Sequence, residues 1–138
     1  MDEPLIPRPL ATKLLFEAQK CPDEEVCGLV GAGDDDLPRS LYPVANAAAE
    51  RKHRFEMDPQ DQIRAMKEMR ERGETLWAVY HSHPDAPPEP SARDLAEIGY
   101  PEALYLIISL NIKGVLEMRA WRPDDAGGMR EVTLRVMD

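Results

Sequence analysis

The stretch Thr75-Leu-Trp-Ala-Val-Tyr-His81-Ser-His83-Pro-Asp-Ala-Pro-Pro-Glu-Pro-Ser91-Ala-Arg-Asp94 decides how this chain is read. Residues 75–80 are apolar, aromatic and branched, which suits a half-buried strand. His81 and His83 stand at its end. Alternate strand side chains share a face, so both imidazoles can reach one ion while Ser82 points away. Prolines at 84, 87, 88 and 90 then bar helix interior and central strand alike, leaving a stiff connector. Ser91 reads as a helix N-cap, with Asp94 three residues on in the first turn.

Two interpretations of these residues stand side by side. In one, Ser91 and Asp94 are a capping pair and the histidines a solvated strand end. In the other, the short loop folds Asp94 back onto the strand end, so that His81, His83 and Asp94 supply two nitrogens and one carboxylate oxygen. That is the ligand count of a catalytic zinc centre, whose fourth position is left for water.

Outward from this stretch, 138 residues fit one domain, 1–138, with enough chain to enclose a core. The 17 Lys and Arg against 26 Asp and Glu give a net charge of −9, which disfavours nucleic-acid phosphates and anionic membranes as partners. No apolar run approaches the roughly 18 residues that span a bilayer. The acidic opening Met1-Asp-Glu-Pro4 lacks the character of a secretory signal, so a cytoplasmic protein is expected. Cys21 and Cys27 are too few for a disulfide framework and are expected as free thiols. Cys27, in an apolar run, reads as a packed structural residue.

Residues 1–8 are expected to be a loose lead-in. Residues 8–20 carry Leu10, Leu14, Leu15 and Ala18 on one helical face, and Pro22 ends that helix. Residues 26–30 read as a buried strand in which Gly28 marks close approach of another backbone. Glu24 and Glu25 stand at its mouth, and taken alone either is an ordinary solvated carboxylate. A polar turn at 33–36 leads to a strand at 39–44, which Pro43 shortens or places at an edge. A loop at 46–51 precedes a short strand at 53–57, with His53 expected to be exposed. Asp58-Pro59 opens a helix with Ile63, Met66 and Met69 on its apolar side and Gly73 beyond its end. After the central stretch, a helix at 92–98 leads to a strand at 103–109 covered on both faces. A turn at 111–114, a half-wet strand at 115–121, a turn at 124–128 and a last strand at 131–136 complete the reading.

Taken in order, Glu25, His81-x-His83, seven residues, Ser91, two residues and Asp94 resemble the signature of the JAMM (MPN-plus) metalloprotease family. The segment EEVCGLVG, the helix before it, Asn46 and the FEMDP segment are similar to the compact bacterial branch. The likeness runs from about Leu10 to Trp121. It implies an α/β fold of the JAMM/MPN, cytidine deaminase-like kind, a single domain with a curved mixed β-sheet flanked by helices. It implies one Zn2+ held by His81, His83 and Asp94 with water as fourth ligand, Glu25 as general base, and Ser91 stabilising the oxyanion. Glu24 is the neighbouring alternative, and Glu25 has the motif's place two residues before Cys27.

The implied activity is hydrolysis of peptide or isopeptide bonds. In the compact branch the implied substrate is the C-terminal end of a ubiquitin-like sulfur-carrier protein, trimmed to expose its Gly-Gly tail. Relatives that have lost ligands serve as non-catalytic scaffolds, and the intact set of five argues against that here. A nucleobase deaminase would need His-x-Glu and Pro-Cys-x-x-Cys, and neither is present. A zinc site built from Cys21, Cys27 and the histidines lacks short-spaced cysteine pairs.

Overall fold

The computed structural model describes residues 3–112 and 115–138. Its elements in chain order are β1 (Leu5–Pro7), α1 (Arg8–Lys20), β2 (Cys27–Ala32), β3 (Pro38–Val44), α2 (Pro59–Glu71), β4 (Thr75–His83), α3 (Ala92–Ala96), β5 (Leu104–Ile112), β6 (Val115–Pro123), β7 (Met129–Val132) and β8 (Arg135–Met137). Six strands form one sheet in the order β3-β2-β4-β5-β6-β7. Within this sheet, among the described residues, only the β4–β5 pair is parallel, so the sheet is mixed and its two central strands run the same way.

The alternation of side chains in β4 and β5 gives the sheet two apolar faces. Ala78, Tyr80, Leu104, Leu106 and Ile108 meet Leu10, Leu14 and Ala18 of α1. Val79 and Tyr105, one residue out of phase, meet Ala65 and Met69 of α2. Each fully buried side chain such as Leu14 or Leu106 contributes about 1.5–3 kcal/mol from apolar area removed from water. His81 and His83 follow Val79 in phase, so they belong to the α2 face. Pro43 lies in β3, an edge strand, where its missing N–H costs no ladder bond.

Gly28 is required by contact. A Cβ there would lie 2.5 Å from the Tyr42 carbonyl oxygen and 2.5 Å from the Tyr80 ring and hydroxyl. The carbonyl is backbone in a paired strand and cannot swing aside. Gly28→Ala is therefore expected to destabilise the fold by at least about 1–3 kcal/mol, the usual range for overpacking. A urea midpoint equal to that of the parent would show the close approach to be tolerant.

Several expectations need correction. Within the lead-in, residues 1–2 lie outside the described residues and the rest is not loose: Ile6 is fully buried, and β1 pairs in parallel with β8 as a separate two-stranded sheet. The expected last strand divides accordingly, β7 closing the main sheet and β8 leaving to join β1. At 53–57 there is only a single bridge, Asn46 to Met57, because the Asn46 side chain takes the Arg54 carbonyl and the Glu56 N–H. In α2 the buried residues are Ala65 and Met69, and Ile63 is 68% exposed. The helix at 92–98 stops at Ala96, where the Glu97 N–H caps the Arg93 and Asp94 carbonyls. Of the turn expected at 111–114, Asn111 and Ile112 belong to β5, and the rest lies outside the described residues. No helix among the described residues is long and apolar enough to cross a membrane.

Candidate metal centre

β4 carries the two histidines into the middle of the sheet, with His81 opposite Cys27 of β2 and Ile107 of β5, and His83 opposite Ser109. Both are almost fully buried. Ser82 points to the other side and works as a stitch. Its N–H donates to the Val26 carbonyl at 3.0 Å, and its Oγ accepts the Val26 N–H at 2.9 Å. This fixes the start of β2, and with it Glu25.

Glu25 is further held by its own backbone. Its N–H donates to the Arg51 carbonyl at 2.6 Å, and its carbonyl accepts from Asn46 Nδ2 at 2.9 Å. The side chain is 6% exposed, and its Oε1 has no hydrogen-bond partner. Burial pushes the carboxyl up to about 7, an effect that the nearby His83 partly offsets. Glu24, by contrast, is exposed and faces Arg51 at 3.9 Å.

The proline loop then returns the chain to the same place. Ser91 Oγ accepts the Asp94 N–H at 3.0 Å and the Ser91 N–H donates to Asp94 Oδ2 at 2.9 Å, a complete capping box at the start of α3. The same Oδ2 lies 3.1 Å from His81 Nε2 and 3.2 Å from His83 Nε2, and these nitrogens are 3.1 Å apart. The capping and metal interpretations of Asp94 therefore describe one geometry.

Three donor atoms in a nearly equilateral triangle fit a small cation. A tetrahedral ion with bonds of about 2.0–2.1 Å sets its donors about 3.3 Å apart. The tautomer of His83 agrees. His83 Nδ1 lies 2.8 Å from the Pro87 carbonyl, which can only accept, so Nδ1 carries the proton and leaves the neutral ring a lone pair at Nε2. His81 Nδ1 has no partner. Burial lowers the pKa of His81 against the pull of Asp94, which favours its neutral form. Burial also opposes charge on His83, but Asp94 and the Pro87 carbonyl outweigh it, and its pKa is raised. Burial disfavours the charged form of Asp94 too, yet the two histidines hold it well below the carboxylate range.

Glu25, His81 and His83 also bring one possible ligand atom each within 4.8 Å of one another. Asp94 stands closer to both nitrogens, so it completes the triangle and leaves the Glu25 carboxylate beside it. His53 is exposed, 3.9 Å from Asp85, and not part of the Glu25–His81–His83 cluster. Burial pushes the Cys27 thiol up to about 12, and its sulfur faces the Val44 carbonyl, as befits a packing residue. The sequence alone assigns Phe55 no role. Its ring stacks on His81 with centroids 4.5 Å apart and an interplanar angle of 28°. It also lines a groove of about 200 Å3 that reaches His81 and Asp94 and has Val79, Tyr100 and Tyr105 on its walls. Only its place in the FEMDP segment hinted at this.

A family model described as prokaryotic homologs of the JAB domain matches residues 7–124. The chain belongs to this JAB, or JAMM, family. The matched span holds Glu25, His81, His83, Ser91 and Asp94, and it leaves out β7 and β8. The chain is 34% identical over 117 residues to a desampylase of Haloferax volcanii, covering 83% of this chain and 80% of that one. It is 28% identical over 131 residues to a CysO-cysteine peptidase of Mycobacterium tuberculosis, covering 94% and 88%. A solution structure of a Desulfitobacterium hafniense protein superposes with a TM-score of 0.84 at 30% identity, covering 97% of this chain and 92% of the other. The mixed six-stranded sheet with its helices is thus the JAMM/MPN fold.

Proposed function

We propose that this JAMM hydrolase uses one zinc ion to cleave the peptide or isopeptide bond that follows the C-terminal tail of a ubiquitin-like sulfur-carrier protein. The observation that carries the reading is the triangle of His81 Nε2, His83 Nε2 and Asp94 Oδ2 with an unpartnered Glu25 carboxylate oxygen beside it. The names of the relatives, a desampylase and a CysO-cysteine peptidase, support the substrate class.

His81, His83 and Asp94 would hold the ion, which when bound lowers the pKa of water to about 7 and polarises a carbonyl. Glu25 accepts the proton of the attacking water and passes it to the departing amine. Its pKa near 7 suits both transfers. Ser91 Oγ already accepts the Asp94 N–H, so its own hydrogen is free to meet the substrate oxygen as charge develops there. The groove between Phe55 and Tyr100 gives an extended, small-residue tail an apolar bed leading to His81 and Asp94.

The test is mass spectrometry of a C-terminally extended carrier incubated with zinc-loaded protein. Release of the extension and an exposed Gly-Gly end is the expected result. Intact mass across several such carriers would overturn the assignment of substrate.

A further inference from the structure

The loop between the ligands is held in an unusual way. Pro87 and Pro88 have no N–H of their own, so residues 84–90 cannot join the sheet as a strand. Instead three successive carbonyls each accept from a different strand. Ser109 Oγ of β5 donates to the Ala86 carbonyl at 2.7 Å, His83 Nδ1 of β4 meets the Pro87 carbonyl at 2.8 Å, and Trp121 Nε1 of β6 donates to the Pro88 carbonyl at 3.0 Å.

Each flanking donor is itself aimed. Ser109 is 3% exposed, and its Oγ accepts the Asn111 N–H at 3.0 Å, which turns its hydrogen toward Ala86. The indole nitrogen of Trp121 can only donate. The middle bond of the three is the one that sets the tautomer and ring orientation of His83. A proline-rich loop has few internal rotations to absorb error, so the points that pin it also decide where it delivers Ser91 and Asp94.

We infer that Ser109 and Trp121 are positioning residues for the metal centre. They pin the carbonyls on either side of Pro87, and through the loop they fix both the His83 ring and the Asp94 carboxylate. This rests on the zinc reading above. It adds residues that lie outside the ligand motif, on strands that contribute no ligand.

The experiment measures zinc affinity of the metal-free protein by competition with a chelating dye, for the parent, Ser109→Ala, Trp121→Phe and the double variant. Thermal unfolding of each metal-free protein is followed in parallel. Removing a partner that orients a ligand weakens metal binding by about 10–100-fold, so each single variant is expected to lose roughly 10-fold and the double variant more. Residues that merely support the fold would lower the unfolding temperature and leave the zinc dissociation constant where it was. That outcome in both single variants overturns the inference. Should Trp121→Phe fail to fold, Ser109→Ala decides alone. A parent protein that binds no zinc removes the metal reading and this inference together, whereas a binding parent with equally tight variants removes only the inference.

Discussion

Glu25→Gln is expected to lower hydrolysis by about 10²–10⁴-fold, the usual contribution of a positioned acid–base group, while zinc affinity stays close to that of the parent. The substitution preserves shape and removes the carboxylate's charge together with its ability to exchange a proton. Zinc affinity is the measurement that separates the two roles open to this carboxylate. Its position within 4.8 Å of donor atoms of both histidines is also compatible with ligation. A ligand replaced by an amide would give up metal as well as turnover. The tighter triangle made by Asp94 argues for the base, so retained zinc with lost turnover is the expected pair of results. Unchanged turnover would remove Glu25 from the mechanism, and lost zinc would move it into the ligand set.

The stability of the metal-free variant provides a second reading of the same residue. Burial raises the Glu25 pKa from 4.5 to about 7, so folding favours its protonated form. The sign follows from linkage: between these values the unfolded chain holds fewer protons at this site than the fold, and stability falls as pH rises through the interval. Gln cannot ionise and leaves no buried charge. Metal-free Glu25→Gln is therefore expected to be at least as stable as the parent above pH 7, and denaturant unfolding on either side of that value measures it. A parent whose extra instability is already complete below pH 4.5 would contradict the burial of this carboxyl.

The parts of the fold that were legible in the sequence are those encoded locally. The apolar run of β4, its four following prolines and the Ser91–Asp94 cap each act within a few residues, so their conformations are read from their own composition. The same holds for α1 and for the Asp58 cap of α2, whose side chain accepts the Asp61 N–H. What escaped was set by distant partners. β1 and β8 are three residues each, too short to show a period, and each exists because the other pairs with it across nearly the whole chain. Helical spacing puts Ile63, Met66 and Met69 on one side of α2; the sheet side receives Met66 and Met69 together with Ala65, and Ile63 is left exposed.

The site divides in the same manner. His81, His83 and Asp94 were legible as possible ligands because strand alternation and a short stiff loop confine them to one place. Glu25 needed the family likeness. Nothing in a pair of adjacent glutamates says which will be buried; that is decided by the Ser82 stitch and the bonds to Arg51 and Asn46. Phe55, Ser109 and Trp121 act on the histidines or on loop carbonyls, and a carbonyl leaves no mark in a sequence.

Asp94→Ala is expected to lower zinc affinity by more than the roughly 10–100-fold typical of groups that only orient a ligand, and to abolish hydrolysis with it. Asp94 Oδ2 faces both imidazoles and the Ser91 N–H at once, so its loss has two components. One is the cap. Ser91→Ala removes the cap oxygen, costing about 0.5–2 kcal/mol of stability, but keeps the carboxylate. Were capping the only duty of this pair, the two variants would lose similar stability and neither would change zinc binding. On the metal reading they part company. Ser91→Ala keeps most zinc affinity and slows turnover by up to about 10²–10³-fold through the missing hydroxyl donor, whereas Asp94→Ala loses the ion itself. The metal-free histidines report the difference directly. The raised pKa of His83 depends on Asp94 overcoming burial, so imidazole titration by NMR should show it fall in Asp94→Ala and remain raised in Ser91→Ala. An unmoved His83 in Asp94→Ala would mean that the carboxylate does not face the imidazoles, and the three-atom site would lose its third corner.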